Sequence, residues 1–334
     1  MIERSNTLQR TRVPVLRKVL HVLLIVQMLM IVLVASPGTI RSSAAAGAAA
    51  GAAAGIDCPA ATPVATAAGA VAAKAATPVG AATAATGITF PAGGETLTVF
   101  AAASLTDALN QIKVDLEARY PNLNITYQTA GSQELVTQLT EGAKADVLAT
   151  ANASTMKAAV EGGLISGSSM PFTGNRLVIV TPNDNPAGIT SFDDLAKSGV
   201  RLVIAGPDVP AGKYAQQAIC TYGSDGAAPT GFVDAIGGNV VSEETDVRSV
   251  LAKVQLGEAD AGIVYASDAV ASGLAGTKVN VIQFPAGVPT TATYPIAAVT
   301  GGNEELARAF IAYVLSPDGQ KVLTDFGFKS TTKP

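Results

Sequence analysis

The chain has 334 residues, enough for two domains, and its two parts differ in charge. Residues 1–94 carry seven Lys and Arg against two Asp and Glu, whereas residues 95–334 carry 15 against 24, a net charge of −9. An acidic folded part argues against nucleic acid as a partner. The only histidine is His21, so residues 95–334 lack a Ser-His-Asp triad, a Cys-His pair and a His-ligated metal.

The N-terminal region has the pattern of an export signal. Five basic residues between Arg4 and Lys18 precede an apolar run from Val19 to Ala35. A run of this length fits either a cleaved signal or a short membrane anchor. We therefore predict that residues 1–41 are a signal peptide or membrane anchor, and that the rest of the chain is extracytoplasmic.

Residues 42–94 are mostly Ala, Gly, Thr and Pro, and this composition predicts a linker. The two cysteines are Cys58, inside this tract, and Cys220. An even count in an exported protein permits a disulfide. Because Cys58 lies in low-complexity sequence, two free thiols are the simpler interpretation. Lipidation of Cys58 also stays open, although no cysteine closely follows the apolar run.

From Glu95 onwards, short apolar runs alternate with helical periodicity. The predicted strands, in chain order, are TLTVFAA, NITYQTA, ADVLATA, NRLVIVTP, VRLVIAGP, AGIVYA, VNVIQFP and YPIAAVT. The predicted helices are SLTDALNQIKVDLEARYP, SQELVTQLTEG, KYAQQAICTYG, DVRSVLAKVQLGE and ELARAFIAYVLSPDGQKVLTDFG. Strands alternating with helices predict an α/β fold with mainly parallel sheets. A core of about 240 residues is near the usual limit, so two lobes are expected.

Four strand-to-helix junctions share small or capping residues at a helix start. They comprise Ser104 with Asp107 as a capping box, Ser132 after Gly131, Ala211 with Gly212 after a proline, and Val247 after the candidate caps Thr245 and Asp246. Each junction alone is also consistent with an ordinary N-cap. Ligands of open α/β sheets gather at the carboxyl ends of strands, where several bare helix N-termini can converge on one anion.

Other polar residues are weaker candidates. Tyr265 ends an apolar strand, so its hydroxyl either reaches a cleft or packs in the core. Asp193 and Asp194 have the pattern of a first helical turn. Asp260 and Asp268 could pair for acid–base catalysis, but nothing in the sequence positions them.

In order, these segments resemble the extracytoplasmic molybdate-binding proteins of ABC importers. The more specific stretches are FAAASLTDA and DVPAGKYA, and the resemblance covers roughly residues 95–330. It implies a two-lobed, periplasmic-binding-protein-like (type II) α/β fold, with two crossing strands as the hinge. Lobe 1 would comprise about 95–179 and 282–334, and lobe 2 about 180–281.

The resemblance also implies the ligand positions. They are the hydroxyl and N–H groups of Ser104 and Ser132, the N–H groups of Ala211 and Val247, and the Tyr265 hydroxyl. These groups would contact the oxygens of molybdate or tungstate, with no side chain on the metal itself, no cofactor and no enzymatic activity. The implied partner is an ABC importer permease, and the protein would be a monomer. The chain departs from the family at the second loop, where Gly131 and Gln133 flank Ser132 in place of a run of serines.

The ligand class follows from hydrogen-bond chemistry. A fully deprotonated tetrahedral dianion only accepts hydrogen bonds, so neutral donors suffice. Phosphate near neutral pH keeps a proton and needs an acceptor, and none of the five positions supplies a carboxylate. Molybdate, tungstate and sulfate are therefore favoured over phosphate, with sulfate as the alternative. Hypotheses from other classes are an extracytoplasmic enzyme on a similar fold, which the missing histidine disfavours, and a tethered adhesion or scaffold domain.

Overall fold

The computed structural model describes residues 55–58, 88–91 and 96–330. The predicted signal or anchor at 1–41 and most of the predicted linker at 42–94 lie outside these ranges. Within the part that is described, no helix is both long enough and apolar enough to cross a bilayer.

The described chain alternates strands and helices, which confirms the predicted α/β class. The strands are β1 Thr96–Ala102, β2 Asn124–Ala130, β3 Val147–Ala149, β4 Ile165–Pro182, β5 Leu202–Ala205, β6 Val240–Glu244, β7 Ala261–Tyr265, β8 Val279–Ile282, β9 Thr291–Val299 and β10 Lys329–Ser330. The helices are α1 Thr106–Arg119, α2 Ser132–Thr140, α3 Ala153–Glu161, α4 Pro210–Ser224, α5 Phe232–Asn239, α6 Val247–Gln255, α7 Ala266–Leu274, α8 Glu304–Leu315 and α9 Pro317–Asp325. Short 3-10 turns occupy Ala103–Leu105 and Asp193–Ala196.

The strands form a mixed sheet in the order β2-β1-β3-β9-β4-β7-β5-β6, with β8 and β10 also paired to β4. Strands β1 to β3 run parallel and form a first strand group, and β5 to β7 run parallel and form a second. Between them β4 and β9 pair antiparallel, so the sheet is mixed as a whole, while each strand group is mainly parallel as predicted. Strand β4 reaches both groups because its first part pairs with β9 and its last part pairs with β7 and β8. The lobe boundaries near residues 180 and 281 stay predictions.

Local sequence accounts for the helices. In α1 the buried residues Ala108, Leu109, Ile112 and Leu116 recur at helical spacing and pack into the main core. The predicted C-terminal helix is two helices, because Pro317 has no N–H to continue the hydrogen-bond ladder of α8. Pro317 instead opens α9, where a proline is tolerated.

Cys58 and Cys220 form a disulfide with their Cα atoms 5.4 Å apart, so the interpretation as two free thiols is wrong. The bond attaches part of the predicted linker to α4, the helix that carries Cys220. Beside it Ile56 packs against the core, and the Gln216 side chain donates to the Asp57 carbonyl. Composition alone could not reveal this attachment, because it depends on a residue 162 positions away.

Residues 88–91 also contact the domain, although they belong to the predicted linker. The Tyr120 hydroxyl donates to the Ile88 carbonyl at 2.6 Å. The ring of Phe90 is buried 4.9 Å, centroid to centroid, from the ring of Tyr120. The packed part of the chain therefore begins before Glu95.

Candidate functional site

A pocket lies where six strands end, three from each strand group and parallel within that group. Its lining residues are Ala102, Ala103, Ser104, Ala130, Gly131, Ser132, Ala151, Val209, Pro210, Ala211, Asp246, Val247 and Tyr265. They follow the carboxyl ends of β1, β2 and β3 on one side and of β5, β6 and β7 on the other. All five of the predicted ligand positions are brought together here, at the kind of strand edge where α/β proteins bind ligands.

Three helix N-termini border the pocket, as the junction pattern predicted. Ser132 is the first residue of α2, Val247 is the first residue of α6, and Ala211 is the second residue of α4. Backbone N–H groups in a first helical turn have no acceptor within their own helix. The three helix starts therefore offer neutral N–H donors and the positive ends of helix dipoles to one small volume.

Two glycines allow the backbones around the pocket to approach closely. A Cβ at Gly212 would lie 2.0 Å from the Gly206 carbonyl oxygen, so a side chain there would push α4 away from the end of β5. A Cβ at Gly131 would lie 2.4 Å from the Thr245 carbonyl oxygen. That same oxygen accepts a hydrogen bond of 3.0 Å from Nε2 of Gln133. Gly131 and Gln133, which depart from the family pattern, thus join the second loop to the β6–α6 junction.

Ser104 does not cap a helix, so the predicted capping box is wrong. It lies within the 3-10 turn Ala103–Leu105, and α1 starts afterwards without a side-chain cap. Its Oγ lies 2.8 Å from the hydroxyl of Tyr294 on β9. Asp107, the other half of the predicted box, instead forms an ion pair with Arg248. The Ser104 hydroxyl is therefore held at the pocket wall by tertiary contacts.

Ser132 is fixed in a similar way. Its Oγ accepts a hydrogen bond of 3.0 Å from the backbone N–H of Ala151, which follows β3. The side chain is almost completely buried. A serine whose oxygen already accepts a hydrogen bond still has its own hydrogen to donate.

Tyr265 ends β7 and contributes a buried hydroxyl to the pocket. Only 1% of the residue is exposed, and among the described residues no atom is in full hydrogen-bond geometry to the hydroxyl, although the Tyr294 hydroxyl is close enough to interact with it. Burial, with Tyr294 nearby, raises the pKa of Tyr265 well above its usual value, so the phenol stays protonated. A buried O–H without an acceptor is costly unless a ligand satisfies it.

One guanidinium and three carboxyl groups of the described residues lie beside the pocket and contact one another or the start of α6. The Asp246 carboxylate caps α6 by accepting from the N–H groups of Arg248 and Ser249. The Arg248 guanidinium lies 2.9 Å from the Asp107 carboxylate and 3.6 Å from that of Asp268. Burial raises the pKa of Asp268 to about 6, although Arg248 opposes the shift. No Lys or Arg is among the described lining residues, and the Asp246 carboxylate accepts from the start of α6, so the donors that the wall presents are neutral.

The sequence offered two other acidic pairs, and neither supplies a catalytic pair to the pocket. Asp260 and Asp268 do not form a pair, because Asp260 binds Arg201 at 2.7 Å while Asp268 accepts from the Tyr265 N–H. Asp193 and Asp194 lie in the first turn of a short 3-10 helix, as their pattern predicted, and they are not among the residues that line the pocket. Within the described ranges, no cluster of three or more His, Cys, Asp or Glu could hold a metal ion.

The fold and the pocket together define a solute-binding protein. A solved structure with this fold is the periplasmic molybdate-binding protein of Azotobacter vinelandii. It has a TM-score of 0.61 and 18% identity, and the match covers 71% of this chain and 99% of that one. At this identity the likeness concerns the fold alone.

Sequence comparison identifies the family. The chain belongs to the bacterial extracellular solute-binding proteins, whose family profile matches residues 97–329. It is 39% identical over 239 residues to the molybdate-binding protein ModA of Mycobacterium tuberculosis, covering 71% of this chain and 85% of that protein. The sulfate-binding protein of Escherichia coli is 27% identical over 221 residues, covering 60% and 67%.

Proposed function

We propose that this protein captures molybdate in the pocket described above and delivers it to an ABC importer, with tungstate as a second ligand. The observation that carries the proposal is the convergence of six strand ends on one wall of neutral donors. Ser104, Ser132, Ala211, Val247 and Tyr265 would bind the oxygens of the anion. The protein would bind its ligand without changing it and without a cofactor.

The donor chemistry supports a fully deprotonated oxyanion. Each oxygen of such an anion accepts hydrogen bonds, and charge-assisted bonds contribute about 1.5–3 kcal/mol each. The Tyr265 hydroxyl, which lacks an acceptor, gains one when the anion enters. Sulfate has the same charge and geometry and is the second candidate. The higher identity to a molybdate-binding protein than to a sulfate-binding protein favours molybdate.

We also propose that the two strand groups act as the two lobes, residues 95–179 with 282–334 and residues 180–281, which close around the anion. Strand β4, which pairs in both groups, would be one of the crossing strands. The protein would act as a monomer outside the cytoplasm, held near the membrane and its permease partner by the N-terminal segment.

Calorimetric titration of the full-length chain with molybdate, tungstate, sulfate and phosphate tests the proposal. We expect one-to-one, tight binding of molybdate and tungstate, weak binding of sulfate and none of phosphate. If sulfate binds more tightly than molybdate, sulfate becomes the proposed ligand. If none of the four anions binds, the proposed function is overturned.

A further inference from the structure

Three buried polar residues form a hydrogen-bonded chain that ends at the pocket. Asn175 Nδ2 donates to the Tyr294 hydroxyl at 3.4 Å and to the Ser267 hydroxyl at 2.8 Å. The Tyr294 hydroxyl lies 2.8 Å from Ser104 Oγ. Asn175 and Tyr294 are fully buried, and neither lines the pocket.

The orientation of the Asn175 amide follows from its other contact. Its Oδ1 accepts a hydrogen bond of 2.9 Å from the backbone N–H of Arg176, so its Nδ2 must face the two hydroxyls. Strands β4 and β9 hold this arrangement, since Asn175 is paired with Ala292 and Tyr294 with Thr173 in the same ladder. The Tyr294 oxygen therefore receives a hydrogen from Asn175.

This contact sets the direction of the next hydrogen bond. A phenol has one hydrogen, and Ser104 Oγ, at 2.8 Å, is in hydrogen-bond geometry to receive it, whereas the Tyr265 hydroxyl interacts with Tyr294 only weakly. If Tyr294 donates to Ser104, the Ser104 oxygen is occupied as an acceptor and its own hydrogen is left for the pocket. Ser132 has the same arrangement, because the Ala151 N–H donates to its oxygen.

We infer that Asn175 and Tyr294 are positioning residues that fix Ser104 as a hydrogen-bond donor toward the bound anion. The inference rests on the proposed function and deepens it, because it names residues that would favour an anion without a proton over hydrogen phosphate. A serine free to rotate could accept the proton of hydrogen phosphate. A serine that accepts from Tyr294 has one lone pair occupied and its hydrogen directed to the pocket, which favours molybdate or sulfate over an anion that carries a proton.

The binding test uses Tyr294→Phe, Ser104→Ala and the double variant in the full-length chain, titrated with molybdate. We expect Tyr294→Phe to weaken binding about 3- to 10-fold, the range of one neutral hydrogen bond. The double variant should bind as Ser104→Ala does, because Tyr294 acts through Ser104. If the double variant instead loses affinity by the product of the two single-variant fold-changes, the inference is overturned.

Selectivity gives a readout that a purely structural role would not move. Sulfate and phosphate have similar sizes, but only phosphate carries a proton near pH 7. In Tyr294→Phe the preference for sulfate over phosphate, measured by displacement of molybdate, should fall at least 3-fold. The matched control is Tyr222→Phe, which loses a tyrosine hydrogen bond to Asp193 away from the pocket and should keep the wild-type preference. An unchanged preference in Tyr294→Phe would contradict the inference.

Neutron diffraction from the ligand-free, deuterated protein separates this inference from the proposed function. The expected result places the Tyr294 deuterium on the line to Ser104 Oγ and leaves the Ser104 deuterium directed into the pocket. A Ser104 deuterium directed at Tyr294 would overturn the inference even if molybdate binds. If the deuterium atoms lie as expected but calorimetry shows no oxyanion binding, the positioning of Ser104 by Tyr294 stands and only the proposed function is overturned.

Discussion

Arg248 on α6 lies 2.9 Å from Asp107 on α1, and this ion pair joins the helix after β6 to the helix after β1. The two strand groups that surround the pocket are therefore linked by charge as well as through β4. The Gln133 side chain makes a second link, to the Thr245 carbonyl at 3.0 Å. If the two strand groups close around the anion as proposed, contacts of this kind would favour the closed arrangement.

Asp107→Asn should weaken molybdate binding about 2- to 5-fold, because a partly exposed ion pair contributes up to about 1 kcal/mol to closure. Calorimetry measures the change. The control is Asp318→Asn, which breaks the exposed pair with Arg119 and does not touch the pocket. Equal affinity for the Asp107 variant and the wild type would show that the ion pair does not contribute to closure.

Ser104→Ala and Ser132→Ala should each weaken oxyanion binding about 10- to 100-fold, the range of one charge-assisted hydrogen bond. Tyr265→Phe should weaken it less if its hydroxyl is one donor among several. Thermal unfolding should stay close to that of the wild type. Ser224→Ala, on the exposed end of α4, is the control. If both pocket serine variants keep the wild-type affinity, the assignment of Ser104 and Ser132 as ligand-binding residues is wrong.

Cys220→Ser should lower the free energy of unfolding by about 2–4 kcal/mol, because the disulfide closes a long loop and restricts the unfolded chain. Chemical denaturation with and without a reductant measures the loss, and Cys58→Ser should give the same value. Mass spectrometry after thiol alkylation provides the independent check. Two alkylated cysteines in the unreduced protein would contradict the pairing.

Asp268→Asn should change how stability depends on pH. Burial raises the folded-state pKa of Asp268 to about 6, above its unfolded value. The contribution of Asp268 to the free energy of unfolding is therefore fully present below about pH 4, where the carboxyl is protonated, and is lost as the pH rises through 6. The unfolding free energy of the wild type, relative to the variant, should fall by on the order of 2–3 kcal/mol between pH 4 and pH 7.

Asp194→Asn is the contrasting control for this pH measurement. Hydrogen bonds from Lys197 and from the Thr190 N–H lower the pKa of Asp194 below its usual range. Its stabilising contribution is present above about pH 4 and is lost in more acidic solution, so the sign is opposite. A flat difference between the wild type and Asp268→Asn would show that Asp268 stays ionised across the range.

Local patterns predicted most of the strands and the helices beside the pocket, but missed β6 and the helices α3, α5 and α7. The strand predictions TLTVFAA and NITYQTA coincide with β1 and β2, because alternating β-branched and apolar residues bounded by polar ones are a local property. The starts of α2, α4 and α6 were predicted from capping and small residues for the same reason. The mixed sheet was not predicted, since the direction of β4 and β9 depends on pairing between distant segments.

The amino-acid sequence by itself determined the α/β class, the family resemblance and the five pocket positions, because these rest on short motifs and periodicities. Only the tertiary structure decided that Ser104 binds Tyr294 rather than capping a helix, that Arg248 pairs with Asp107, and that Cys58 bonds to Cys220. Each of these contacts joins residues more than a hundred positions apart. Local propensity carries no information about such partners, and the packing of the two strand groups supplies it.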